Sequence, residues 1–332
     1  MSKVLKNAFT LSSMRSKFEV SQARRQNIQW FPGHMGRGLK DIEKHLKNVD
    51  IVIEVHDSRM PFTGRNHLLQ QSVQNIRPMV LVLNKRDLIS SKHESLIEEK
   101  VRKEQSHISE VIFTNCRNPN CKGVQKILPT LQHISDNMTR YHRTEVYNTT
   151  VMVVGVPNVG KSSIINALRS SHMKKGKAVP VGPKAGVTRS VMSQVKISEK
   201  PLIYILDTPG ISLPRIDNLE CGMRLAACAT LQDHLVGEIN IADYILFYLN
   251  RTGNYRYVDF FNLDEPSDDI VMLLAKAAIK KKWFKRAFDV SSNSVRMFPD
   301  TGEVARIFIE HFRKGSFGSV MLDRDFLELD IS

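Results

Sequence analysis

The run Val151-Met152-Val153-Val154 leads without a break into Gly155-Val156-Pro157-Asn158-Val159-Gly160-Lys161-Ser162-Ser163, and this stretch constrains the fold more than any other. The uninterrupted apolar, β-branched residues predict a strand covered on both faces. The Gly-x-x-x-x-Gly-Lys-Ser that follows needs a loop whose backbone N–H groups all turn inward, with glycine where a side chain would block the approach. Helix-compatible residues from Ser163 to Leu168 come next and place the positive end of a helix dipole beneath that loop. Strand, loop and helix in this order predict a phosphate-binding unit. Asn158, Val159, Gly160 and Ser163 lie in the cradle, Lys161 reaches the β and γ phosphates, and Ser162 offers its hydroxyl to magnesium.

The surrounding pattern supplies a sheet for that unit. Buried strands are predicted at 51–55, 78–83 and 111–113, with two more at 193–197 and 202–206. Helical periodicity falls between them: Leu39, Ile42, Leu46 and Val49 share one face, and further helices are predicted over 90–104 and 124–134. Alternating strands and helices predict an α/β, doubly wound, mostly parallel sheet. Beyond about 215 strand signals become sparse and a smaller α-helical C-terminal domain is expected.

Ligands of such sheets bind beyond the carboxyl ends of the strands, and two polar clusters stand there. Asn84-Lys85-Arg86-Asp87 follows the strand at 78–83, and its aspartate can accept from the ring N–H and the exocyclic amine of guanine, a donor pair that adenine lacks. Asn84 and Lys85 would brace that loop and cover the ring, Arg86 is counted with them among the nucleotide-binding residues, and Asn115 and Cys116, after the third strand, reach the same base by position. A surface turn is the alternative, and the companion phosphate loop argues against it. Asp207-Thr208-Pro209-Gly210 supplies a carboxylate for magnesium and, at Gly210, an N–H for the γ phosphate; Thr188 is the candidate second hydroxyl on the metal. GTP and magnesium are the expected ligands, and Lys161 and Thr188 enter the candidate catalytic set.

The order of these parts is unusual, because the guanine motif precedes the phosphate loop and no second Asn-Lys-x-Asp follows it. The domain therefore reads as circularly permuted, which neighbouring chain ends at a domain surface permit. With Trp30-Phe31-Pro32-Gly33-His34-Met35 ahead and Gly318-Ser319-Val320-Met321-Leu322-Asp323 near the end, the chain resembles the circularly permuted ribosome-assembly GTPases of the bacterial YlqF/RbgA group, and within it a mitochondrial branch. The resemblance implies a GTPase that acts in maturation of the mitochondrial large ribosomal subunit and supports mitochondrial translation. It implies a GTPase domain over 30–215 and an rRNA-binding helical domain over 216–332. It also implies a matrix location, with peripheral association on the matrix side of the inner membrane, and a monomer. Ile211 occupies the place where many GTPases carry a water-orienting glutamine, and the resemblance assigns that work to His34; the alternative is a packing role beside Trp30 and Phe31. Asn158 resembles the asparagine that related proteins use to help hold potassium, or else it satisfies loop backbone.

Charge and cysteine usage bear on partners. A net charge of +14 and a pI near 9.6 attract polyanions without choosing among RNA, DNA and anionic membranes. Cys116, Cys121, Cys221 and Cys228 lack zinc-site spacing, so a reducing compartment is expected, and no apolar run is long enough to span a bilayer. The first 29 residues are basic and serine-bearing, with no acid before Glu19; composition alone leaves a targeting segment and a basic tail equally open, and the resemblance favours mitochondrial import. Lys276, Lys280, Lys281, Lys282, Lys285 and Arg286, with Trp283 and Phe284 among them, are read as one helix. Its cations either grip rRNA phosphates or form a solvated face, with Ala275, Ile279 and Trp283 as core. A nucleotide-sensing scaffold without turnover remains the competing class, and an ATP-driven remodeller is disfavoured by Asp87.

Overall fold

In chain order the elements of the sheet unit are β1 (Ile51–Asp57), α1 (His67–Gln74), β2 (Met79–Asn84), α2 (Ser91–Glu104), β3 (Ile108–Phe113), α3 (Lys122–Asp136), β4 (Asn148–Val154), α4 (Lys161–Met173), β5 (Ser193–Glu199), β6 (Leu202–Asp207) and α5 (Leu219–Ala227). The helical unit follows with α6 (Asp233–Val236), α7 (Glu238–Arg251), α8 (Arg256–Phe261), α9 (Ile270–Lys281), β7 (Phe284–Asp289), β8 (Ser294–Pro299) and α10 (Thr301–Lys314). This computed structural model describes residues 14–21, 24, 28, 30, 43–74, 76–118, 120–138, 148–173, 193–208, 214, 216–289 and 293–328.

The sheet runs β3-β2-β1-β4-β6-β5, parallel throughout except for the β5–β6 pair. β1, β2 and β4 are buried along almost their whole length, as their near-continuous apolar runs require when helices cover both faces. Leu46, Val49, Val52, Leu69, Val73, Met79, Met152 and Val154 form one cluster, and Leu81, Leu83, Ile97, Val101 and Val111 anchor another. Chain order reverses between β1 and β4, and such a switch point opens a crevice at the strand carboxyl ends. β1 reaches two residues past the expected 55, so His56 and Asp57 belong to the strand.

Helix ends follow their capping residues. Ser90, Asn218, Asp269 and Asp300 each accept a backbone N–H of the first turn, of α2, α5, α9 and α10 in that order. At the far end of α9 the backbone of Lys282 turns left-handed and Trp283 N–H bonds back to Ala278 O at 2.8 Å.

That cap overturns the single helix expected over 276–286: the helix stops at Lys281, and β7 pairs antiparallel with β8. The reason is non-local. Phe284, Phe288, Val295 and Phe298 suit a strand, but Lys and Ala just upstream read as helix until the partner strand is known. Ile279, proposed as core, is 56% exposed.

The helical unit comprises 1–30, 232–318 and 330–332, and the sheet unit comprises 31–231 with 319–329. The break expected after 215 therefore falls at 231/232, because α5 buries Met223, Leu225, Ala226 and Ala227 in the sheet unit. Residues 319–329, expected to stay with the C-terminal domain, return to the sheet unit, where Val320 N–H bonds Leu88 O and Leu322 N–H bonds Arg59 O.

In the helical unit, Tyr257, Phe261, Phe308, Phe312 and Phe317 build a core between α8, α10 and the chain that follows α10. Part of the segment expected as an N-terminal extension belongs to this unit. Phe18 is buried edge-on to Tyr244, with ring centroids 5.1 Å apart, and Arg15 pairs with buried Asp243 at 2.8 Å and with Asp268 at 3.2 Å. Among the described residues no helix is long and apolar enough to cross a membrane.

Candidate active site

The loop between β4 and α4 owes its shape to two glycines. Gly155 has φ +146°, and a Cβ there would lie 2.3 Å from Val55 O on the neighbouring strand. Gly160 has φ +104°, and a Cβ there would lie 2.1 Å from Asn84 Nδ2. Side chains at either place would force the loop away from β1 or from the Asn84 segment.

Lys161 opens α4 and folds back over the loop, donating to Gly155 O at 2.9 Å and Val156 O at 3.0 Å. Burial lowers its pKa to about 8, against the attraction of Asp207. Burial in turn raises Asp207, which Lys161 only partly offsets. Asp207 Oδ1 is buried with no hydrogen-bond partner among the described residues. An orphaned carboxylate oxygen, the Ser162 hydroxyl at the helix start and the ammonium of Lys161 suit a magnesium polyphosphate. No group of three or more His, Cys, Asp or Glu could hold a metal among the described residues, so magnesium here would depend on phosphate oxygens as well as protein.

Asn84, at the carboxyl end of β2, connects three segments. Its amide nitrogen donates to Val159 O at 2.9 Å, while its oxygen accepts from Thr114 Oγ1 at 3.2 Å and from Cys116 N at 3.4 Å. Lys85 is left-handed, with φ 60°, and its ammonium lies 2.9 Å from Asp57 Oδ2. Arg86 pairs with Glu94 at 2.6 Å and bonds Thr114 O through its backbone N–H. Asp87 alone of the four points an exposed carboxylate outward. The first three hold the loop and the fourth is open to a ligand, the division of labour that base recognition requires. Asn115 donates its backbone N–H to Cys121 Sγ, and burial pushes the Cys116 thiol up to about 12, so neither is poised as a reactive group.

Asn158, left-handed at φ 60°, donates its amide to Ala229 O at 2.8 Å and so ties the phosphate loop to the end of α5. His34, Thr188 and Gly210 lie outside the described residues.

Several residues around the site escape a motif reading. Asp57 ends β1 and takes Arg59 in a two-pronged pair, Nε–Oδ1 3.0 Å and Nη2–Oδ2 2.8 Å, beside Lys85. Burial opposes its charge, but Arg59 and Lys85 hold its carboxyl well below the usual range. Glu54, likewise buried, is held low by Arg65 and His56. From the returning tail Asp323 accepts Phe62 N at 2.8 Å, Thr63 N at 2.9 Å and the Thr63 hydroxyl, and Arg224 lies 3.2 Å away. The available signal was the charged triplet of Glu54, His56 and Asp57 within and just beyond a predicted strand, since buried charges need partners.

A family model described as "50S ribosome-binding GTPase" matches residues 150–276. The chain is 44% identical over 303 residues to "Mitochondrial GTPase 1" of Aedes aegypti, covering 91% of this chain and 95% of that protein. It is 44% identical over 306 residues to "Mitochondrial ribosome-associated GTPase 1" of Bos taurus, covering 92% and 91%. Against "Mitochondrial GTPase 1" of Schizosaccharomyces pombe the identity is 30%, with 89% of each chain covered. Among solved structures, GNP-bound YlqF from T. maritima superposes with TM-score 0.55 at 20% identity, over 85% of this chain and 95% of that one, a likeness of fold.

Proposed function

The chain belongs to the mitochondrial ribosome-associated GTPase 1 family and is a GTPase, and on that premise we propose that it binds the mitochondrial large ribosomal subunit in the matrix and promotes its maturation, so supporting mitochondrial translation. The observation that carries the nucleotide assignment is the Asn84 Nδ2 to Val159 O hydrogen bond, which holds the Asn84–Asp87 segment against the phosphate loop and so supports reading the two as one site. The ribosomal partner is supported by the relatives' names and by the polyanion-seeking charge.

In this reading Asp87 accepts from the guanine base, with Asn84, Lys85, Arg86, Asn115 and Cys116 shaping its slot. Asn158, Val159, Gly160, Lys161, Ser162 and Ser163 enclose the phosphates, and Gly210 meets the γ phosphate. Magnesium is held by Ser162, Thr188 and Asp207 and neutralises charge on the phosphates. His34 orients the attacking water in place of a glutamine. Asn158, whose amide nitrogen donates to Ala229 O, would help hold potassium, which would offset charge on the phosphates. The sheet unit carries the chemistry and the helical unit contacts rRNA. The protein works as a monomer, held at the matrix side of the inner membrane through peripheral contacts, and its import signal lies in 1–29.

Turnover with and without purified mitochondrial large subunits tests the assembly role. Stimulation is expected, together with a loss of rate when sodium replaces potassium. Subunit binding without any change in turnover would favour the scaffold alternative, and failure to bind subunits would remove the assembly role.

A further inference from the structure

The β7–β8 hairpin is a two-stranded sheet to which no further strand is added among the described residues. Cross-strand partners share a face, so its register places Phe284 and Pro299, Arg286 and Met297, and Phe288 and Val295 on one side. Lys285 and Phe298, with Ala287 and Arg296, occupy the other. The apolar members face solvent: Phe288 is 60% exposed, Val295 66%, Met297 57% and Phe284 41%. Folded proteins seldom leave such rings on an isolated ribbon unless something docks there. The two strands carry Lys285, Arg286 and Arg296 against one acid, Asp289, and Lys285 lies 3.7 Å from Asp300 just beyond β8, so this surface is net positive as well as aromatic.

We propose that the β7–β8 hairpin is an RNA-engaging element on which unpaired bases of single-stranded or looped RNA stack on Phe284 and Phe288 while Arg286, on the same face, takes a phosphate and Lys285 and Arg296, on the opposite face, add to the positive field. The proposal deepens the ribosomal reading above and rests on it for the source of the RNA. Residues two apart on a strand are about 6.7 Å apart along one face, so Phe284, Arg286 and Phe288 present ring, guanidinium and ring in succession. Aromatic and guanidinium planes alternating with cations are what unstacked bases and their backbone require. A bilayer fits less well, because among the described residues no further strand pairs with either hairpin edge and Arg286 sits amid the apolar face. A protein partner fits less well, because the centres of such interfaces are depleted of charge.

The test uses the full chain and two double variants, Phe288→Ser with Met297→Ser and Arg286→Gln with Arg296→Gln. The probes are a fluorescein-labelled single-stranded RNA of mixed sequence, the same RNA annealed as a duplex, and vesicles of phosphatidylcholine with cardiolipin. The first variant is expected to lose about tenfold or more in single-strand affinity, the scale of losing one or two stacked bases. The second should flatten the salt dependence by about 0.7 log–log units per lost phosphate contact. Duplex binding should fall less in the first variant than in the second. Basal GTP turnover and thermal unfolding should stay unchanged in both, which shows that the fold is intact. Unaltered single-strand affinity in both variants overturns the proposal, whether vesicle binding falls instead, which would make the hairpin a membrane contact, or sedimentation reports loss of self-association, or nothing changes. Subunit stimulation of the parent chain is read separately, so failure of the hairpin proposal and failure of the ribosomal reading are distinguishable.

Discussion

At the residue scale, Asp87 and Lys161 make separable predictions. Asp87 is exposed while Asn84, Lys85 and Arg86 are engaged in holding their loop. Asp87→Asn should therefore weaken GTP by about 2 kcal/mol, the worth of hydrogen bonds to a charged acceptor, and leave stability unchanged. Titrations with GTP and ATP check this, and an unchanged preference for GTP would remove the guanine role. Lys161 has its pKa lowered to about 8 by burial, with Asp207 pulling the other way. Polyphosphate favours the charged ammonium, so above about pH 8 binding must take up a proton, and affinity falls as pH rises through that value. Calorimetry in buffers of different ionisation enthalpy should show proton uptake at pH 9 and almost none at pH 7. Zero uptake at both would mean that the ammonium stays charged in the free protein.

At the scale of elements, the phosphate loop and the guanine loop hold their relation because a glycine lets them touch and a tail braces the guanine segment from behind. Val320 and Leu322 bond the backbone at Leu88 and Arg59, and Asp323 inserts a buried carboxylate between Thr63 and Arg224. Burial raises that carboxyl, with Arg224 and Thr63 opposing. Asp323→Ala would leave two backbone N–H groups, a hydroxyl and a guanidinium without this acceptor. Removing one partner of a buried charged cluster costs about 3 to 5 kcal/mol. Urea unfolding of the sheet unit should register a loss of that order, with GTP affinity declining in parallel because Leu88 adjoins Asp87. If stability falls and GTP affinity holds, the tail is a fastening with no influence on the base loop.

At the scale of the whole molecule, the first thirty residues divide. Residues 1–13 lie outside the described part, whereas Arg15, Phe18 and Arg24 belong to the helical unit and cover Asp243, whose side chain is 2% exposed. Truncation through residue 13 keeps every contact described for this segment and serves as the reference. Truncation through residue 25 uncovers Phe18's partners and leaves Asp243 without its two arginines. Re-exposing the apolar surface costs about 2 kcal/mol, and an unpaired buried carboxylate adds several more. A melting temperature equal for both truncations would show that the segment docks without stabilising anything. Cleavage after residue 24 would remove Arg15, Phe18 and Arg24 from the helical unit.

Local chemistry determined much of this protein. The phosphate loop, the strand that feeds it, the Asn84-Lys85-Arg86-Asp87 tip, the parallel sheet and the permuted order all follow from runs of neighbouring residues, because a buried strand, a glycine loop and a helix start each leave a short-range signature. The tertiary structure alone decided what depends on partners distant in sequence. Asp57 became the counter-ion of Lys85 only when β1 and β2 lay side by side in register. Asp323 joined the sheet unit only when the tail returned across Thr63 and Arg224. Residues 284–299, rich in both helix formers and strand formers, became a hairpin because α9 was capped at Lys282 and β8 was there to accept its hydrogen bonds. In each case the deciding energy comes from a pairing across many residues, to which no window of sequence is sensitive.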